Sequence, residues 1–144
     1  MSLDLTAIYQ AAWALASADS GWIAKSRVLQ HWADVPASQR PALFQAAQSM
    51  TVEPFANSDV AKWEIPLRYY IYISHTGDPT TPPQDLLAAR IAVLVAAFAP
   101  PAGFDEQTLG GLVASCDVSG EIETDEGTLG TDAVAIVPVR IVVG

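Results

Sequence analysis

Ser115-Cys116-Asp117 places nucleophile-type side chains beside a carboxylate, and Glu121, Glu123, Asp125 and Glu126 follow as a cluster of hard oxygen donors. The first group has the residue types for nucleophilic chemistry, the second those for holding Ca²⁺. Both depend on which way the backbone turns the side chains. Leu112, Ala114, Cys116, Val118, Gly120 and Ile122 alternate with Val113, Ser115, Asp117, Ser119, Glu121 and Glu123, the pattern of a half-buried strand with an acidic outer face. Successive strand residues point to opposite faces, so Cys116 and Asp117 cannot act together. The four acids lack EF-hand spacing, and a solvated acidic hairpin accounts for them more simply. Cys116 is the only cysteine, which rules out an intramolecular disulfide and reads as a buried small hydrophobe.

His31 and His75 are the only candidate bases at neutral pH, and neither has a supporting neighbour in sequence; His75 near Gly77-Asp78 reads as a turn residue. There is no H-E-x-x-H, G-x-S-x-G, P-loop or dinucleotide fingerprint. No catalytic residue, metal or cofactor is therefore expected, and the chain reads as a non-enzyme.

The elements follow from periodicity. Ser2 is placed to cap a helix from Leu3 to Ser17, with Leu5, Ile8, Ala12, Leu15 and Ala16 at helical spacing. Arg27 to Gln45 reads as two short extended pieces joined by a turn at Pro36–Pro41, with Ala42-Leu43-Phe44 as a short strand. Ser49 to Asp59 reads as a loop. Lys62 to Ser74 is the clearest strand: Trp63, Ile65, Leu67, Tyr69, Ile71 and Ile73 fall on one face, Glu64, Pro66, Arg68, Tyr70, Tyr72 and Ser74 on the other. Pro66 cannot donate to a ladder, so the strand is expected to be free or bulged there on one edge.

Thr81 and Gln84 have capping-box spacing with Pro82 at the first helical position, and Leu87, Ile91, Leu94, Val95 and Phe98 form one apolar stripe of a second helix. Pro100-Pro101 ends it. A turn at Asp125-Glu126-Gly127 leads to the last strand, Ala133 to Val143, with Ala135, Val137, Val139, Ile141 and Val143 inward and Pro138 and Arg140 outward. The order gives a single α+β domain over residues 1–144, with a mainly antiparallel or mixed β-sheet packed against two α-helices.

Composition narrows the partners. Sixteen acids against seven bases give a net charge of −9, and Asp105 to Asp132 holds eight acids without a Lys or Arg. Specific nucleic-acid binding is not expected, because phosphate contacts need clustered bases; like charge instead favours DNA passing a surface without being held. Only 16% of residues are charged, low for a monomer's surface, which points to an oligomer. Met1 to Ser20 lacks a basic secretory n-region, and the apolar run Leu86 to Ala102 is interrupted by Arg90, so a cytoplasmic protein with no membrane span is expected. Arg68, Tyr70, Tyr72 and Arg140 lie opposite the apolar rows of their strands. They are residue types that interfaces favour, and they form the candidate subunit or partner interface.

Laid out in order, the chain resembles the tail-terminator (tail completion) proteins of long-tailed bacteriophages, the type of the lambda minor tail protein U. The likeness runs through Trp32-Ala33-Asp34-Val35, Arg40-Pro41-Ala42-Leu43-Phe44 and the strand Trp63-Glu64-Ile65-Pro66-Leu67-Arg68-Tyr69-Tyr70-Ile71-Tyr72. It continues through Gln107-Thr108-Leu109-Gly110-Gly111-Leu112-Val113, Glu126-Gly127-Thr128-Leu129-Gly130 and Ala135-Ile136-Val137-Pro138-Val139. The resemblance implies a structural virion protein of the tail, assembled in the host bacterial cytoplasm. Its subunits would close into a hexameric ring on the tail tube, end tube polymerisation and meet a head-side connector protein. A head–tail connector or stopper protein is the nearest rival expectation. A small cytosolic ligand-binding domain or enzyme is a rival of another class.

Overall fold

The computed structural model describes residues 3–54, 61–75, 80–126 and 132–144. In chain order they form α1 (Leu5–Ala16), β1 (Ala24–Ser26), two single 3₁₀ turns (Trp32–Asp34 and Ala37–Gln39), β2 (Ala42–Ala47), β3 (Thr51–Pro54), β4 (Ala61–Ser74), α2 (Pro83–Ala97), β5 (Ser115–Val118), β6 (Glu123–Glu126) and β7 (Asp132–Val143). Among the described residues these make a single α+β domain, a seven-stranded mixed sheet packed against two helices.

The long strands β4 and β7 pair antiparallel from Trp63↔Val143 to Ser74↔Asp132 and form the middle of the sheet. Their odd-numbered residues share one face. Ile65, Leu67, Tyr69 and Ile71 with Ala135, Val137, Val139 and Ile141 are almost wholly buried there, under α1 and α2. Each such aliphatic side chain contributes about 1.5–3 kcal/mol. Leu43 of β2, Cys116 of β5, Ile8, Ala12 and Ala16 of α1, and Leu87, Leu94 and Phe98 around α2 complete this core.

Two prolines divide the outer ladders. Pro66 stands opposite Arg140, and Arg68 opposite Pro138. The carbonyls of both prolines point outward, each accepting one backbone N–H at 3.1 Å, from Gln48 and Ser119 respectively. Their missing N–H groups therefore also fall on the outer side, where no ladder can pass unbroken. On one flank β2 pairs with residues 67–72 of β4 and β3 with residues 61–64. On the other, β5 pairs with residues 139–142 of β7 and β6 with residues 133–136. The expected break at Pro66 is there, and Pro138 makes its counterpart on the far flank. β1, at the edge beyond β2, supplies the one parallel pairing among the described strands.

Several expectations shift. α1 begins at Leu5 with Asp4 as its cap, the carboxylate accepting from the Ala7 N–H at 3.0 Å; Ser2 lies outside the described residues. α2 begins at Pro83, capped by Pro82 without a side-chain hydrogen bond, so Thr81 is not the capping residue. Within its stripe Leu87, Leu94 and Phe98 are buried, whereas Val95 is exposed. The alternation at residues 28–33 is not a strand: the backbone turns into the 3₁₀ turn at Trp32–Asp34. Thr51–Pro54, expected in a loop, pairs as β3, while residues 55–60 lie outside the described ones. The strand expected over 112–123 is confined to Ser115–Val118, because the chain leaves the ladder at Ser119 and Gly120 takes φ +119°. Leu112 is consequently exposed and Val113 buried. Asp125 and Glu126 belong to β6, and Gly127 to Gly130 and Gly77-Asp78 lie outside the described residues.

Candidate functional site

The even-numbered residues of β4 and β7 form the second face of the sheet, which neither helix covers. From one end it carries Glu64, Pro66, Arg68, Tyr70 and Tyr72 on β4 against Val142, Arg140, Pro138, Ile136 and Val134 on β7. β5 and β6 add Asp117 opposite Arg140 and Glu123 opposite Ile136. Three of the four residues singled out in sequence therefore share one open surface. Arg68 and Arg140 are exposed and Tyr70 is half-buried. α1 packs into the core on the other side and leaves this face open.

Arg140 donates through Nε to Glu64 Oε1 at 2.7 Å, with its NH2 on the same oxygen. The partners are 45% and 38% exposed, so this pair is worth little in stability; it fixes the direction of the guanidinium. Arg68, one residue pair further along, makes no ion pair among the described residues. It stands between Ala46 and Pro138 in the registered ladder.

Tyr72 differs from the other three. It is only 3% exposed, because the segment between β1 and β2 folds over this end of the face. Its hydroxyl donates to the Gln30 carbonyl at 2.6 Å, its ring lies 5.4 Å from that of Phe44, and burial pushes its pKa up to about 12. It is an internal packing residue and not a free contact residue as expected.

What holds this segment down is Arg40, which sequence reading passed over. Its side chain is 2% exposed. Nε donates to the Val35 carbonyl at 3.1 Å, NH1 to the Ile73 carbonyl at 3.1 Å, and NH2 to the Trp32 carbonyl. NH1 also meets Asp132 Oδ1 at 3.0 Å, and that oxygen accepts from Ser74 Oγ at 3.1 Å. The guanidinium lies 5.8 Å from the Tyr72 ring centroid. The only sequence signal was a lone arginine just ahead of an apolar strand, which does not specify where the five donors go.

Between the segment so fixed and the open face runs an apolar groove of about 370 Å³, lined by Leu29, Trp32, Tyr70, Tyr72, Val134 and Ile136 with Gln30 and His31 at its rim. A second cavity of about 300 Å³ lies between Arg40, Ser74 and the first turns of α2.

The residues weighed for chemistry are separated as expected in the case of Cys116 and Asp117: Cys116 is 1% exposed in the core and Asp117 points to the open side. Burial first, then the Asp117 charge, raises the thiol from its ordinary 9.0 to about 12. Among the described residues no three His, Cys, Asp or Glu side chains gather where a metal could be held, and no helix is long and apolar enough to cross a membrane. His31 accepts from the Ala33 N–H at 3.2 Å, closing the 3₁₀ turn.

A pH prediction follows from the raised groups. Cys116, Tyr69 and Tyr72 are all held neutral by burial in the folded chain. The unfolded chain ionises first, so stability is full below about pH 9 and falls as pH rises towards about 12. Urea unfolding at pH 8 and pH 10.5 is expected to show a lower midpoint at the higher pH, with Cys116 reacting with a disulfide reagent only in the unfolded chain. A thiol that titrates and reacts in the folded chain near pH 8 would contradict its burial.

No protein-family model matches the chain, and no curated protein is similar to it.

Proposed function

We propose that this chain is a structural ring subunit, a tail terminator that caps the tube of a long-tailed bacteriophage. The observation that carries this reading is the uncovered sheet face, where Arg68, Tyr70 and Arg140 stand among Pro66, Val134, Ile136, Pro138 and Val142. A half-buried apolar surface with tyrosine and arginine is the composition of a protein–protein contact. The low charged fraction supports the same conclusion, as does the order of segments that resembles the tail-terminator proteins. Copies joined head to tail close into a ring when the rotation between neighbours divides the circle. With a net charge of −9, a ring of such copies offers DNA a bore without a basic surface to retain it.

In this role one side of the ring sits on the completed tail tube and stops its growth, and the other receives a head-side connector protein. The test is electron microscopy of tail-tube subunit polymerised with and without this protein. Capped tubes of limited length are expected. Tubes that grow unchanged, with the protein binding a portal-side adaptor instead, would make it a connector or stopper.

A further inference from the structure

The seven-stranded sheet ends in β1 on one side and β5 on the other. A free sheet edge presents backbone groups with which another strand can pair. The Gln48 N–H on the Pro66 carbonyl directs the even-numbered residues of β2 to β4, so Leu43 turns to β1 and lies between Ala24 and Ser26. That leaves the N–H and C=O of Lys25 pointing out of the sheet. On the far flank the Ser119 N–H on the Pro138 carbonyl directs Ser115 and Asp117 to β7, which leaves those of Cys116 and Val118 pointing outward. None of these three residues has another backbone partner among the described residues.

The two edges fit each other. β1 runs parallel to β2, and β2, β4, β7 and β5 then alternate in direction, so β1 and β5 run opposite ways. With the helix layers of two copies on the same side, β5 of one meets β1 of the next as an antiparallel pair. Lys25, Cys116 and Val118 all carry their side chains on the helix side, since their partners Leu43, Ile141 and Val139 are core residues there. Residues that exchange both hydrogen bonds across an antiparallel pair need that agreement.

Charge selects the combination. From Gly21 to Ala33 the bases Lys25 and Arg27 stand without an acid, whereas Asp105 to Asp132 holds eight acids and no base. Asp105 and Glu106 are exposed on the connection into β5, which sends Leu109 and Val113 into the helix-side core. Two β1 edges, or two β5 edges, would set like charges together; β5 against β1 sets opposite charges together. Exposed apolar side chains flank both edges, Ile23 and Val28 beside β1 and Phe104 and Leu112 ahead of β5.

We infer that β5 of one copy pairs with β1 of the next, so that the sheet runs on from subunit to subunit, with Asp105 and Glu106 brought beside Lys25 and Arg27. This contact rests on the ring reading and specifies it. It is heterologous, each copy uses both edges once, and ring closure leaves neither edge free. The face of Arg68, Tyr70 and Arg140 stays uncovered in every copy.

Proline separates the outward edge from the internal ladder. Val118→Pro removes an N–H that no strand of its own chain uses, a position that edge strands tolerate. Thr124→Pro does the same in β6, on the same flank but outside the contact. By light scattering Val118→Pro is expected to weaken self-association about tenfold or more, and Thr124→Pro to assemble as the wild type does. Circular dichroism separates lost assembly from lost fold. In the wild-type assembly the amides of Lys25 and Val118 are expected to exchange about tenfold or more slowly than in the dissociated chain, with Thr124 unchanged.

If the wild-type chain assembles while Lys25 and Val118 exchange as fast as in the dissociated chain, the ring reading stands and the edge contact is overturned. A folded Val118→Pro that assembles as well as wild type overturns it too. If the wild-type chain is monomeric with and without tail-tube subunit, the ring reading falls and the contact with it.

Discussion

Arg40→Met is expected to cost about 3–5 kcal/mol in urea unfolding, the loss typical of removing one partner from a buried charged network. Methionine fills much of the volume, so packing is not the main term. The loss comes from the carbonyls of Trp32, Val35 and Ile73, each left without the donor that Arg40 supplies. Asp132, 23% exposed, can recover solvent and suffers less. Arg40→Lys keeps the charge and loses the planar fork, so it restores only part of the stability. The same substitution releases the wall of the groove, since Trp32 and Val35 are fixed over Tyr72 and Phe44 by these bonds. A midpoint for Arg40→Met within about 1 kcal/mol of wild type would show that the network is solvated and not structural.

Tyr69→Ala is expected to cost a similar amount, about 3–5 kcal/mol, while leaving the open face untouched. Tyr69 is fully buried and joins three elements. Its hydroxyl donates to Gln45 Oε1 at 2.7 Å, and Gln45 Nε2 donates to the Tyr9 carbonyl in α1 at 3.3 Å. Its ring lies 5.5 Å from that of Phe98 at the end of α2. Truncation removes the ring and leaves Gln45 half satisfied. Tyr69→Phe isolates the polar part and is expected to cost about 1–3 kcal/mol, because the Gln45 oxygen then has no donor. Against a typical total stability of about 5–15 kcal/mol, the alanine variant sits close to unfolding. A Tyr69→Phe chain with the wild-type denaturation midpoint would mean that the hydroxyl contributes nothing.

The parts of this fold that were legible are those whose local pattern and tertiary role agree. β4 and β7 alternate strictly because one face is buried and the other is not, so strand parity alone placed Arg68, Tyr70 and Arg140 on the open side. The break at Pro66 was legible because a missing N–H has one geometric consequence. β3 and β6 were not, since four-residue edge strands exist only through the long strands they pair with. The segment from Arg27 to Pro41 was misread for a related reason. Its backbone follows carbonyls drawn onto Arg40 from residues up to 33 positions away, and no local period records that. Tyr72 shares the parity of Tyr70, and parity could not tell that this segment buries it.

The proposed function requires that copies of this chain join one another into a closed ring. The most direct measurement is light scattering behind size exclusion on the purified chain, with and without tail-tube subunit. One discrete species of about six chains, in solution or on tube ends, is the expected result. A strict monomer that ignores tubes at every concentration would contradict it.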